Sequence, residues 1–186
     1  MLNRQLLLRA LSQVPDVNST IRFVDNMNKV KAFTNERVQA DMAEQPHANI
    51  VIEKHTLRQD GWVRWTLLGD VTNAPPSAID YMFRLRWGGM LGTEWVVGEK
   101  TAPAAGVTNS PWRIVVEIQC GGLIGVSCRM DAFMSVFWMA DASAAIFYGT
   151  GNFDTTVETK LIFTVEADSI AGDPVFRTLA GLVETF

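Results

Sequence analysis

His47 and His55 are the chain's whole imidazole supply, and Glu53 stands between them. On a β-strand, residues two apart share a face, so Glu53 and His55 could begin a metal centre of the cupin-like kind. Such a centre needs another histidine from a later strand, and none follows His55. Polar residues on a half-buried strand are therefore the expectation. The carboxylate pairs Asp154/Glu158 and Asp168/Asp173 fall in or near turns. Calcium between subunits is one use for them, and hydrogen bonding to their own backbone is the commoner one. No Ser–His–Asp order suggests a nucleophile, since both histidines lie on one early segment and no nucleophile elbow is present. Cys120 and Cys128 lack an adjacent activating base, which fits inert buried thiols; a disulfide across a β-turn is the alternative. Gly88, Gly89 and Gly92 space themselves loosely like a phosphate loop, but they join two strands rather than a strand and a helix. A hairpin that needs positive φ explains them better. The expectation is a protein that is not an enzyme, with no catalytic residue, no cofactor and no metal.

The charge pattern narrows the partners. The chain of 186 residues carries a formal charge of −4. The acidic excess falls after residue 60, and no basic residue lies between Arg129 and Lys160. A surface that neutralises phosphates along a nucleic acid needs clustered Lys and Arg. Nucleic-acid contact is thus expected to be weak or supplied by a partner. Arg84 and Arg86, joined by Arg64, could form a small basic patch on one sheet, or simply a solvated face. Six Trp and ten Phe enrich the chain in residues that fill cores and anchor interfaces. A row of exposed Trp drawn from Trp62, Trp65, Trp87, Trp95 and Trp112 would stack against sugars.

The elements that position these groups are mostly strands. Asn3–Val14 has a narrow apolar face at helical spacing, stopped by Pro15, and predicts a helical arm over residues 1–20. Residues 21–186 then read as a single β domain. Short strands are expected over Ile21–Val24, Val30–Phe33, Asn49–Leu57 and Gly61–Leu68. The clearest is Ile79–Trp87, where Ile79, Tyr81, Phe83, Leu85 and Trp87 alternate strictly with Asp80, Met82, Arg84 and Arg86. Further strands are expected over Thr93–Glu99, Trp112–Cys120, Leu123–Cys128 and Lys160–Glu166, with a loop over Thr101–Pro111. Ala132–Ala140 and Ala144–Tyr148 are nearly all apolar, as expected of central strands covered on both faces. Asp141, Ser135 and Ser143 argue against a membrane span there, and Gly149–Asn152 reads as a turn. Val175–Phe186 reads as a short tail. No membrane contact and no signal peptide are expected. Many short strands with turn chemistry between them predict an all-β, antiparallel jelly-roll β-sandwich.

The segment Ser77–Lys100 (SAIDYMFRLRWGGMLGTEWVVGEK) couples the alternating strand to a glycine-bounded turn and a second strand, and Thr159–Ala167 (TKLIFTVEA) closes the series. This pattern resembles the jelly-roll coat proteins of small icosahedral picorna-like plant viruses, notably the small capsid subunits of comoviruses, nepoviruses and cheraviruses. The resemblance implies a virion protein that packs with other capsid subunits, in homo- and hetero-oligomeric contacts, into a shell around viral RNA. It implies no catalytic residues and at most weak RNA contact. The basic arm of many plant-virus coats is absent. Two other readings remain open: a bacteriophage spike, baseplate or decoration protein, and a carbohydrate-binding β-sandwich module.

Overall fold

Alternation of apolar and polar residues carries directly into strands in the computed structural model, which describes residues 21–23, 31–39, 42–54, 57, 59–73, 79–102, 106–140, 144–169 and 174–185. Eleven strands follow one another: β1 (Ile21–Phe23), β2 (Lys31–Gln39), β3 (Gln45–Ile52), β4 (Trp62–Asn73), β5 (Asp80–Trp87), β6 (Thr93–Thr101), β7 (Val107–Cys120), β8 (Cys128–Trp138), β9 (Ala144–Phe153), β10 (Thr159–Ala167) and β11 (Val175–Thr185). They form a five-stranded sheet ordered β1-β3-β10-β5-β6 and a six-stranded sheet ordered β2-β11-β4-β7-β8-β9. All neighbours are antiparallel except β1 and β3. The expected jelly-roll-like all-β sandwich is the fold. The helical arm predicted over Asn3–Val14 lies outside the described residues.

The hairpin of β5 and β6 follows the sequence closely. Tyr81, Phe83, Leu85 and Trp87 point into the core, and Asp80, Met82, Arg84 and Arg86 point outward. Gly88 and Gly89 adopt φ of 93° and 103°, a region open to glycine at little cost, so the chain reverses there. Other boundaries differ from expectation. Of the strand expected over Leu123–Cys128, residues 123–127 belong to the connection between β7 and β8 and Cys128 opens β8, and Gly149–Asn152 lies inside β9 rather than in a turn. Most of the segment expected as a tail, Val175–Thr185, is instead β11, which lies between β2 and β4. Its register shifts between Thr178 and Ala180, so the buried side changes phase within the strand. Phe176 and Thr178 precede that shift and Gly181 and Val183 follow it, which hides the alternation in the sequence.

The core lies between the sheets. The five-stranded sheet contributes Ile50, Tyr81, Phe83, Leu85, Leu161, Phe163 and Val165; the six-stranded sheet contributes Trp65, Leu67, Ile114, Val116, Met134, Trp138 and Phe176. Phe176 spans the two layers. It stacks on Trp112 at 4.5 Å and touches Trp138 in its own sheet, and it meets Tyr81, Phe83 and His47 from the opposite one. Each ring gains both from burial and from tilted or stacked aromatic contact. Phe176→Ala should therefore cost about 3–5 kcal/mol of unfolding free energy in a urea titration. A cost below about 1 kcal/mol would show that Phe176 is not the inter-sheet anchor.

Candidate functional site

The residue groups that suggested chemistry are dispersed or satisfied. His47 lies in the core, its Nδ1 2.9 Å from the Thr178 hydroxyl and its ring edge-on to Phe176. Glu53 follows the end of β3, and His55 and Asp173 lie outside the described residues. Among the described residues no group of three or more His, Cys, Asp or Glu is arranged to hold a metal. Asp154 accepts from the backbone N–H and hydroxyl of Thr156, and Asp168 accepts from the Asp80 N–H. These are turn and strand-end bonds of the ordinary kind. Cys120 and Cys128 are buried free thiols in mutual contact. Burial, aided by the neighbouring thiol, pushes Cys120 up to about 12, so it carries no thiolate at neutral pH.

The expected basic patch is not formed. Arg64 stands on β4, in the opposite sheet from Arg84 and Arg86 on β5. Arg86 grips Glu44 through two bonds of 2.7 and 2.8 Å and also binds Glu94, while Arg84 pairs with Glu166. Burial works to raise the Glu44 carboxyl, but hydrogen bonds from Arg86 and Thr164 outweigh it and hold it below its ordinary value. The group is a closed ion network on the outside of the five-stranded sheet. The expected row of exposed Trp is not formed either. Trp65, Trp87, Trp95 and Trp112 are buried, as is Trp138, and only Trp62 among the six reaches the surface, at 38 % exposure.

The unexpected feature is the outer face of the six-stranded sheet. Among the described residues the apolar runs in β8 and β9 are not covered on both sides: the core lies on one face of their sheet and the other face is open. Phe133 is 37 %, Tyr148 51 % and Ile146 68 % exposed. Register arranges this face in rows that cross the strands from β4 through β7 and β8 to β9. One row is Trp62, Gln119, Asp131 and Thr150; the next is Arg64, Glu117, Phe133 and Tyr148. A third row holds Thr66, Val115, Ser135 and Ile146.

Within the first two rows the side chains fix one another. The Phe133 and Tyr148 rings lie 5.0 Å apart, and the Tyr148 hydroxyl donates to Asp131 at 2.8 Å. Arg64 donates to Glu117 through Nε and Nη2, at 2.9 and 2.7 Å. Hydrogen bonds from Thr150 and then Tyr148, with a smaller contribution from Arg129, hold the Asp131 carboxyl below its ordinary value. Beneath the face, Phe147 on β9 packs over Gly98 of β6, where an added Cβ would collide with the ring. Glycine at that position lets the two sheet edges approach and seats the edge strand that carries Tyr148. The result is a pre-formed surface of aromatic rings beside carboxylate, amide and hydroxyl groups. The sequence signal for it was the apolar content of β8 and β9, which reads equally well as deep burial.

No family model matches the chain, and no curated protein matches it in sequence. Among solved structures, peanut lectin with a nine-residue peptide is similar at 10% identity and a TM-score of 0.43, covering 87% of this chain and 98% of that one. Lectin II from Ulex europaeus is similar at 8% identity and a TM-score of 0.38, covering 88% and 95%. The CBM2 module of the evolved Dit from Lactobacillus casei BL23 phage J-1 is similar at 9% identity and 0.37, covering 73% and 67%. At this distance each is a loose likeness of one sandwich to another. The coat-protein expectation is corrected: these similar structures are lectins and a carbohydrate-binding module, and none of them is a capsid subunit. The shell of capsid subunits, the enclosed viral RNA and the virion location are withdrawn with it. An alternating strand, a glycine turn and a closing strand are requirements of any such sandwich, so the pattern in Ser77–Lys100 did not distinguish coat subunits from others.

Because the Asp131 carboxyl is depressed on folding, its stabilising contribution is complete above the unfolded value and is lost as pH falls through the lowered folded one. A carboxyl NMR titration should place the Asp131 midpoint below the ordinary 3.8. Tyr148→Phe should move the midpoint upward; a wild-type midpoint at or above the ordinary value would contradict the hydrogen-bond arrangement.

Proposed function

We propose that this domain is a non-catalytic saccharide-binding module whose ligand lies on the outer face of the six-stranded sheet. The observation that carries the reading is the exposed Phe133–Tyr148 pair, held in place through Asp131 and bordered by Glu117, Thr150 and Gln119. A sugar ring offers an apolar C–H face and a rim of hydroxyls. Aromatic rings match the first, and carboxylate, amide and hydroxyl groups match the second. The core of a protein–protein interface is instead depleted in charged residues. Here Glu117 and Asp131 stand beside the exposed rings, and Arg64 is bonded to Glu117 on the far side. Their charges are already satisfied within the face, so it does not call for an ionic partner.

The rings are also pre-positioned, which lowers the ordering cost of binding a flexible ligand. Tyr148 cannot swing freely while its hydroxyl is bound to Asp131, and Phe133 is limited by the ring beside it.

A glycan array followed by isothermal titration tests the proposal. Binding to at least one saccharide is expected, with Phe133→Ala and Tyr148→Ala each weakening it about tenfold, equivalent to about 1.4 kcal/mol. Both side chains lie on the outer face rather than in the core, so the variants should stay folded, with the unfolding midpoint lowered only modestly. No binding across the array, or binding unchanged in both variants, would refute the proposal.

A further inference from the structure

Trp62 and the Phe133–Tyr148 pair occupy the same face but different strands, and their separation limits what can touch both. Trp62 is on β4 and Tyr148 on β9, with β7 and β8 between them. Three strand spacings amount to about 14 Å. A single pyranose ring cannot cover that distance, whereas a short chain of rings can. Between the two aromatic positions the rows offer Gln119, Asp131 and Glu117, groups suited to the hydroxyls of intervening rings. From the register alone, then, the face has an aromatic contact toward each end and hydrogen-bonding groups along the middle.

Charge restricts the class further. The cation in the two rows is Arg64, and it is engaged by Glu117 in two hydrogen bonds. Arg129, one step along β8 from the first row, lies 3.7 Å from Asp131. Each carboxylate on the path, Glu117 and Asp131, thus stands beside a guanidinium, so the face offers no unpaired cation to reward the carboxylate of an acidic sugar.

We infer that the ligand is an uncharged, extended oligosaccharide that runs across the strands from Tyr148 to Trp62, rather than a single terminal sugar or an acidic glycan. This rests on the saccharide-binding reading above and deepens it. Tyr148 and Phe133 form the site that every chain length uses, and Trp62 forms a distal site that only longer chains reach.

The test is a length series. Neutral cello-, manno- and xylo-oligosaccharides from mono- to hexasaccharide are titrated into the full chain, with oligogalacturonates as the acidic counterpart. For a neutral series that binds, affinity should rise about tenfold or more from the monosaccharide to the tetrasaccharide and then level off. Trp62→Ala should abolish that rise while leaving the shortest ligands unchanged, whereas Tyr148→Ala should weaken every length. Oligogalacturonates should bind more weakly than neutral chains of equal length. Affinity that is already complete at the monosaccharide, a length dependence unaffected by Trp62→Ala, or tighter binding of the acidic series would overturn the inference while leaving saccharide binding in place. Failure of every saccharide to bind, on the array and in the titrations, would remove both.

Discussion

The two sheets pack face to face around an aromatic cluster centred on Phe176. Its ring contacts Trp112 and Trp138 on one side and Tyr81, Phe83 and His47 on the other. So many large rings meet there that the inner faces are filled without help from the outer ones. Five of the six Trp are spent in this interior or at its margin. Aromatic side chains on the outside of β8 and β9 are therefore surplus to the core, which is why their position there carries information.

The same core packing sets the geometry of the outer face. Side chains alternate along a strand, so each inward residue fixes its neighbours outward. Met130, Ala132, Met134 and Val136 point into the core from β8, which forces Asp131, Phe133 and Ser135 to the opposite side. A slip of one residue in the register of β8 would bury Asp131 and expose Met134. Hydrophobic packing thus specifies the outer face indirectly, through the register that it enforces. The local bonds from Tyr148 to Asp131 and from Arg64 to Glu117 then hold the exposed groups in one arrangement.

Where local pattern and tertiary role agreed, the fold was legible in the sequence. Ile79–Trp87 alternates strictly because one side is core and the other is an ion network, and the glycine turn after it announced the hairpin. β10 was legible for the same reason. The strand β11 was not, because its register shift breaks the alternation and Gly181 sits on its buried side. The site was hidden for a different reason. Nearly continuous apolar sequence in β8 and β9 is what a doubly covered strand would show, and only the two-layer packing reveals that one face of each is open. Tryptophan, the residue type expected to mark a sugar site, drew attention to core positions, whereas Phe133 and Tyr148 lie outside. Arg64 was grouped with Arg84 and Arg86 by charge, although the sandwich puts it in the other sheet.

The most direct measurement is an amide and side-chain NMR map of the protein titrated with the oligosaccharide that binds it most tightly in the length series. Shift changes concentrated on the outward residues of β4, β7, β8 and β9, with Trp62, Phe133 and Tyr148 among the largest, are the predicted result. Changes confined to the β5–β6 hairpin or the loops, with the six-stranded sheet unaffected, would contradict the assignment of this face.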